Sequence, residues 1–221
     1  MKLVVFDCDG VLVDSEALAI GIEAEMLTAA GFAVDPDEIA QRFIGLSYSS
    51  MLATLGRQYG RPVPEALSLA IQRAALDLFP TRLHAVPGIA QLLASLELPC
   101  CVASSSDVDR IGLSLRVCGL DRHFPADHIF SAQMVANGKP APDLFLLAAE
   151  KMRVDPGDCI VVEDSPPGVL AARAAGMRVV GFVAGSHAWQ GLDQRLIEAG
   201  ASEVVATSPA LARHLAALAA V

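Results

Sequence analysis

Lys2-Leu3-Val4-Val5-Phe6-Asp7-Cys8-Asp9-Gly10 is the stretch on which the fold turns. Residues 2–6 form a short, β-rich apolar run, and the spacing predicts a strand that gives out at Asp7. Asp7 and Asp9 stand two apart, so both carboxylates point roughly the same way from the strand end. Gly10 then permits a sharp turn. In open parallel sheets, ligands bind beyond the carboxyl ends of the strands, where this acidic pair sits. The pair suits one carboxylate as nucleophile and metal ligand and the other as proton donor and acceptor. Taken alone, the same residues read more readily as an Asp-rich turn.

Working outward, the pattern changes at once. Residues 15–79 contain no strand signal and several helix signals. Asp14 is expected to cap a helix through about Ala30, with Leu18, Ile22 and Met26 on one face and Gly31 as terminator. Asp35-Pro36-Asp37-Glu38 has Asp at the N-cap, Pro at the first helical position and Glu two residues later. Ser47–Gln58 and Pro64–Phe79 read as two more helices, the second with Leu67, Ile71, Ala74 and Leu78 in register. From Val86 onward, strands at Cys100–Ser104, Ile129–Ser131, Cys159–Glu163, Arg178–Val183 and Glu203–Ala206 are expected. They are separated by helical stretches opening at Pro87-Gly88, Asp107, Pro142 and Pro167, and a helix from Ser208-Pro209 ends the series. Alternating β and α elements imply a parallel, Rossmann-like α/β sheet with helices on both faces. The expected division is an α/β core of residues 1–13 and 84–221, with a helical bundle of residues 14–83 inserted after the first strand.

Three later features repeat the placement of the acidic pair. Ser104-Ser105-Ser106 ends a strand and offers hydroxyl and backbone N–H donors at a helix start, a natural phosphate cradle. Lys139 lies in Gly138-Lys139-Pro140-Ala141-Pro142-Asp143, a loop stiffened by two prolines just before a helix. Glu163-Asp164 closes the apolar strand Cys159-Ile160-Val161-Val162. Adjacent carboxylates on a buried strand repel unless something positive lies between them, and a hard divalent cation with Asp7 and Asp164 as oxygen ligands meets that need. Each feature alone has a bland reading as a helix cap, a solvated lysine or a turn. In chain order, all at strand ends or helix starts, they supply nucleophile, acid/base, phosphate grip, charge neutraliser and metal site.

Composition narrows the classes. In 221 residues, 53% are hydrophobic and 19% charged, enough apolar material for a packed core. Lys+Arg 16 against Asp+Glu 25 gives a net charge of -9, and no basic cluster is present, which argues against nucleic-acid binding. The five cysteines, an odd number without CxxC spacing, read as buried free thiols in a reducing compartment. No apolar run long enough for a membrane span is found. A cytoplasmic enzyme with no obligate protein partner is the expectation.

The run Asp7-Cys8-Asp9-Gly10-Val11-Leu12-Val13-Asp14-Ser15-Glu16 resembles the first motif of the haloacid dehalogenase superfamily. Ser104, Lys139 in Lys139-Pro140-Ala141-Pro142-Asp143, and Glu163-Asp164-Ser165 resemble its other three motifs, and the helical insertion falls where its small α-helical cap belongs. The resemblance implies a phosphohydrolase with Asp7 as nucleophile and Asp9 as general acid/base. It also implies Mg²⁺ held by Asp7, Asp164 and the backbone carbonyl of Asp9, with Glu163 alongside. Ser104, Lys139 and the Ser105 amide would grip the transferring phosphoryl group of a small phosphorylated metabolite.

Rival readings are a dehalogenase, a β-phosphoglucomutase-like mutase, a receiver-type signalling domain and a catalytically idle binding protein. Dehalogenases of the superfamily typically lack an acid at the position of Asp9. The mutases resembled here carry a cap His and a cap Arg where this chain has Ala19 and Tyr48. Receivers lack a helical insertion after the first strand, and an idle protein would not need every chemical group present. For the substrate, Glu16 and the cap loop at 44–48, with Gly45 and Ser47, are expected to face the site and to suit a sugar or sugar-acid phosphate. His187 and Trp189 follow a strand within reach of the site's rim, but read more readily as surface packing and are given no role.

Overall fold

The computed structural model describes residues 1–43 and 48–219. Six strands are found there: β1 (Leu3–Phe6), β2 (Cys100–Ser104), β3 (Ile129–Ser131), β4 (Cys159–Glu163), β5 (Arg178–Phe182) and β6 (Glu203–Val205). They form one sheet in the order β3-β2-β1-β4-β5-β6, and each neighbouring pair is parallel. The chain moves outward from β1 through β2 to β3, then returns to lay β4 on the other side of β1. That reversal is a topological switch point, and the loops leaving β1 and β4 flank it.

Both faces of the sheet are covered. Leu3, Val5, Val161 and Val179 pack against α7 (Asp143–Met152), α8 (Pro166–Ala174) and α9 (Leu192–Ala199). Val4, Phe6, Ile160 and Val162 face α5 (Ile89–Ser95), α6 (Val108–Val117) and α10 (Ser208–Ala219). Burial on two faces explains why β1 and β4 read as unbroken apolar runs rather than alternating ones. Each such side chain contributes on the order of 1.5–3 kcal/mol when fully buried.

Residues after β1 form α1 (Glu16–Ala29), α2 (Pro36–Arg42), α3 (Tyr48–Tyr59) and α4 (Glu65–Arg82) around a separate apolar cluster that includes Leu27, Phe32, Leu55 and Ile71. Where this segment leaves and rejoins the sheet the two chain ends are tied. Val13 bridges Ala85 in antiparallel fashion, and the Asp14 N–H donates to the His84 carbonyl.

Several expectations need correction. Asp14 does not cap α1: Ser15 occupies the N-cap without a side-chain cap, and the Asp14 carboxylate instead accepts from the Ser186 N–H and hydroxyl, both at 2.9 Å. The buried face of α1 is Ile20, Ala24 and Leu27, not Leu18, Ile22 and Met26. Those three are partly buried, because α1 touches the α/β core with Leu18 and the helical cluster with Ile22 and Met26. In α4 the buried positions are Ser68, Ile71, Ala75 and Phe79, and Leu78 is exposed. Helix α9 has no counterpart in the sequence reading, and Asp35 does cap α2, accepting from the Asp37 N–H at 2.8 Å. All five cysteines are free, and among the described residues no helix is long and apolar enough to cross a membrane.

Candidate active site

Asp7 follows β1 directly and its N–H is held by the Val162 carbonyl of β4, which fixes the nucleophile candidate at the switch point. Lys139 comes from the loop before α7 and is fully enclosed: its Nζ lies 2.6 Å from Asp7 Oδ1 and 2.5 Å from Glu163 Oε1, and donates to the Ala103 carbonyl at 3.1 Å. One ammonium therefore joins the ends of β1, β2 and β4. Burial disfavours a charged lysine, but Asp7 and Glu163 outweigh it and raise its pKa. Asp7 is raised well above the ordinary Asp value, chiefly by burial, with Lys139 opposing.

Glu163 is completely buried and is held from the other side by Ser165, whose N–H and hydroxyl donate to Oε2 at 3.1 and 2.8 Å. The same hydroxyl caps α8 by accepting from the Gly168 N–H. Gly168 is required here, since a Cβ would lie 1.9 Å from Glu163 Oε1.

Asp9 carries its own set of partners. Ser15 Oγ donates to Oδ1 at 2.5 Å, Ser106 Oγ to Oδ2 at 2.6 Å, and Arg110 Nη2 lies 3.2 Å from Oδ1. Burial works to raise this carboxyl, but the Arg110 guanidinium and the two hydroxyls outweigh it and hold Asp9 below the ordinary Asp value. Arg110 in turn lies against the Phe79 ring, 5.2 Å from its centroid. Ser104 is buried at the end of β2, where its Oγ accepts from the Ser106 N–H at 3.1 Å.

Asp7, Glu163 and Asp164 each present a carboxylate oxygen within 4.8 Å of the others, and all three are buried. Asp164 Oδ2 is enclosed and makes no hydrogen bond, although His187 Nε2 lies 2.9 Å away. An all-oxygen donor set of three buried carboxylates fits a hard divalent cation. The sequence reading put Asp9 in this set through its backbone carbonyl. The Asp9 side chain is turned to Ser15, Ser106 and Arg110, which leaves that backbone assignment as it stands.

His187, given no role in the sequence reading, is brought to the site, 2.9 Å from Asp164. Its side chain is wholly buried, not on the surface. Gly10, with φ +77°, and Gly185 leave the space it occupies: a Cβ on Gly10 would lie 1.8 Å from Asp164 Oδ2 and 2.6 Å from His187 Cε1. Burial works against a charged imidazole, yet Asp164, with Glu16 and Asp14, raises its pKa to about 9. Arg110 was also missed. Trp189 packs beside the α7–α9 face of the sheet, away from this chemistry.

A cavity of about 890 Å³ spans these groups and α1, α3 and α4, lined by Asp7, Asp9, Ser104, Ser105, Lys139 and Asp164 on one side. Glu16 lines it, as expected; Gly45 and Ser47 lie outside the described residues. A profile of the haloacid dehalogenase-like hydrolases matches residues 1–176. The chain belongs to that family. Among its haloacid dehalogenase-like relatives is the 6-phosphogluconate phosphatase of Escherichia coli, 32% identical over 85% of each chain. Hexitol phosphatase A of the same organism is 30% identical over 79% of this chain and 80% of its own. A haloacid dehalogenase-like protein of Agrobacterium tumefaciens is 36% identical and superposes with a TM-score of 0.87 over 99% of both chains.

Proposed function

We propose that this chain is a Mg²⁺-dependent phosphatase that hydrolyses a small phosphate monoester of a polyhydroxylated metabolite through an aspartyl-phosphate on Asp7. The observation that carries the reading is Lys139, buried between Asp7 and Glu163 with Asp164 adjoining, at the open end of β1 and β4.

In the first half-reaction Asp7 attacks phosphorus, the bond to the ester oxygen breaks, and the leaving alkoxide takes a proton from Asp9, which must react in its protonated form although Arg110, Ser15 and Ser106 favour the ionised one in the unliganded site. In the second, water passes a proton to Asp9 and attacks phosphorus; the bond to Asp7 breaks and inorganic phosphate leaves. Lys139, Ser104 and the Ser105 amide hold the equatorial oxygens and stabilise charge there. Bound Mg²⁺, held by Asp7, Asp164 and the Asp9 carbonyl with Glu163 alongside, would add positive charge beside those oxygens. Residues 14–83 act as the cap that covers the site and excludes water. Ala19, at the position of the mutase histidine, offers no group for proton transfer, which supports transfer to water. Five free thiols accord with a cytoplasmic setting.

Hydrolysis of a generic aryl phosphate tests this reading. Turnover is expected with Mg²⁺ and should vanish with EDTA. Turnover unaffected by chelation would contradict it.

His187 enters the same reading by fixing the direction of the Asp164 carboxylate. Partners of metal ligands typically cost 10–100-fold in metal affinity when removed. His187→Ala is therefore expected to weaken Mg²⁺ binding by about that factor. Calorimetric titration of the metal-free protein reads this without any turnover. An unchanged affinity would remove His187 from the site.

A further inference from the structure

The relatives divide over the charge of the leaving group, one being named for a sugar-acid phosphate and another for hexitol phosphates. We propose that this site takes the monophosphate of an uncharged polyol or sugar, and that Glu16 and Glu23 turn away a leaving group carrying a carboxylate or second phosphate. The inference rests on the phosphatase reading above and narrows its substrate class.

The leaving group must occupy the part of the cavity beyond Asp9, toward α1, α3 and α4, because Asp7 and Lys139 form the floor where phosphorus sits. Glu16, Glu23, Tyr48, Ser68, Gln72 and Arg110 line that part. Recognition of an anionic group there needs an available cation, and two cations line the cavity. Lys139 is enclosed by Asp7, Glu163 and the Ala103 carbonyl and belongs to the phosphoryl floor. Arg110 is paired with Asp9 at 3.2 Å and lies against Phe79.

The balance around Arg110 holds in either protonation state of the two glutamates. With Glu16 and Glu23 ionised, carboxylates outnumber the one guanidinium three to one, counting Asp9. Burial raises Glu16 to about 8 and Glu23 to about 7, with Arg110 opposing in both cases. With both protonated, Asp9 and Arg110 cancel. Neither state offers net positive charge, so a second anion would be desolvated without a counter-ion. Hydroxyl groups meet the opposite conditions. Carboxyl oxygens of Glu16 and Glu23 accept from vicinal hydroxyls, and the side chains of Tyr48, Ser68 and Gln72 can donate or accept. A wall of hydrogen-bonding groups interleaved with apolar ones such as Ile71 and Leu76, with no cation free of a carboxylate partner among the described residues, is a surface for a neutral polyol.

A matched pair tests the point: glucitol 6-phosphate and 6-phosphogluconate share a six-carbon chain and differ only in hydroxymethyl or carboxylate at C1. The alditol is expected to show a kcat/KM at least about tenfold higher, the scale of discrimination that one mispaired buried group produces. Measured above pH 8, where both glutamates are ionised, Glu23→Gln should narrow that ratio at least about threefold, as expected when one buried repulsive charge is removed. Equal or better use of 6-phosphogluconate by the native chain overturns the inference, as does a ratio unchanged in both Glu23→Gln and Glu16→Gln. The aryl phosphate serves as control. If it is hydrolysed while the sugar acid is preferred, only the substrate inference fails; if nothing is hydrolysed, the phosphatase reading fails with it.

Discussion

Asp7→Asn is expected to lower phosphatase turnover by at least about a thousandfold, since an amide cannot form the acyl phosphate, while the protein still folds. The fold survives because the ionised form of Asp7 is disfavoured by its surroundings. Its pKa is raised well above the ordinary value by burial, with Glu163, Asp164 and Asp9 adding repulsion against the attraction of Lys139. A carboxyl raised in the folded state takes stability away when ionised, and the neutral amide relieves that cost. The same change removes one of two anionic partners of Lys139 but leaves Glu163 at 2.5 Å. The melting temperature should therefore stay within a few degrees of the native value, about the shift that 1 kcal/mol produces in a chain of this size. Thermal denaturation beside a turnover assay checks both halves. Unfolding of the variant would make Asp7 a structural residue.

Lys139→Met should behave in the opposite way, losing both activity and stability. Among the described residues the ammonium is the single cation in contact with Asp7 and Glu163, both buried. Removing one member of a buried ion pair typically costs about 3–5 kcal/mol, because a charge is left uncompensated. Met keeps the length of the stem and its packing near the Phe145 ring, so the loss reports charge rather than a cavity. Mg²⁺ should restore part of the lost stability by placing positive charge among the same carboxylates, and the recovery should grow with its concentration. Chemical denaturation with and without Mg²⁺ measures this. A variant as stable as the native chain would mean that Lys139 does not neutralise the cluster.

Much of this arrangement was legible in the sequence, for identifiable reasons. Cys100–Ser104, Ile129–Ser131 and Cys159–Glu163 are strands with those same bounds, since short apolar runs buried on two faces end sharply where polar site residues begin. The site residues lie at those ends, so reading the strands also located Ser104, Glu163 and Asp164. Helix α9 escaped because only Leu192 and Leu196 are buried, and Ile197, which would strengthen the pattern, is exposed. The faces of α1 and α4 were displaced because each packs against two apolar clusters, which blurs a single stripe. Arg110 and His187 carried no local signal. Arg110 reads as a solvated charge on an amphipathic helix, and only the fold brings it to Asp9, 101 residues away. His187 stands in a loop after a strand, and its purpose shows only once Gly10 and Gly185 are seen to make room for its ring beside Asp164.

Trapping the covalent intermediate bears most directly on the central claim. The native protein is mixed with a hydrolysable phosphate monoester and Mg²⁺, quenched in acid within one turnover, reduced with borohydride and digested. An acyl phosphate is reduced at its carboxyl carbon, so the peptide containing residues 3–10 should carry homoserine in place of Asp7, with Asp9 unchanged. Phosphate release without any such conversion at Asp7, or conversion at another carboxylate, would contradict the account.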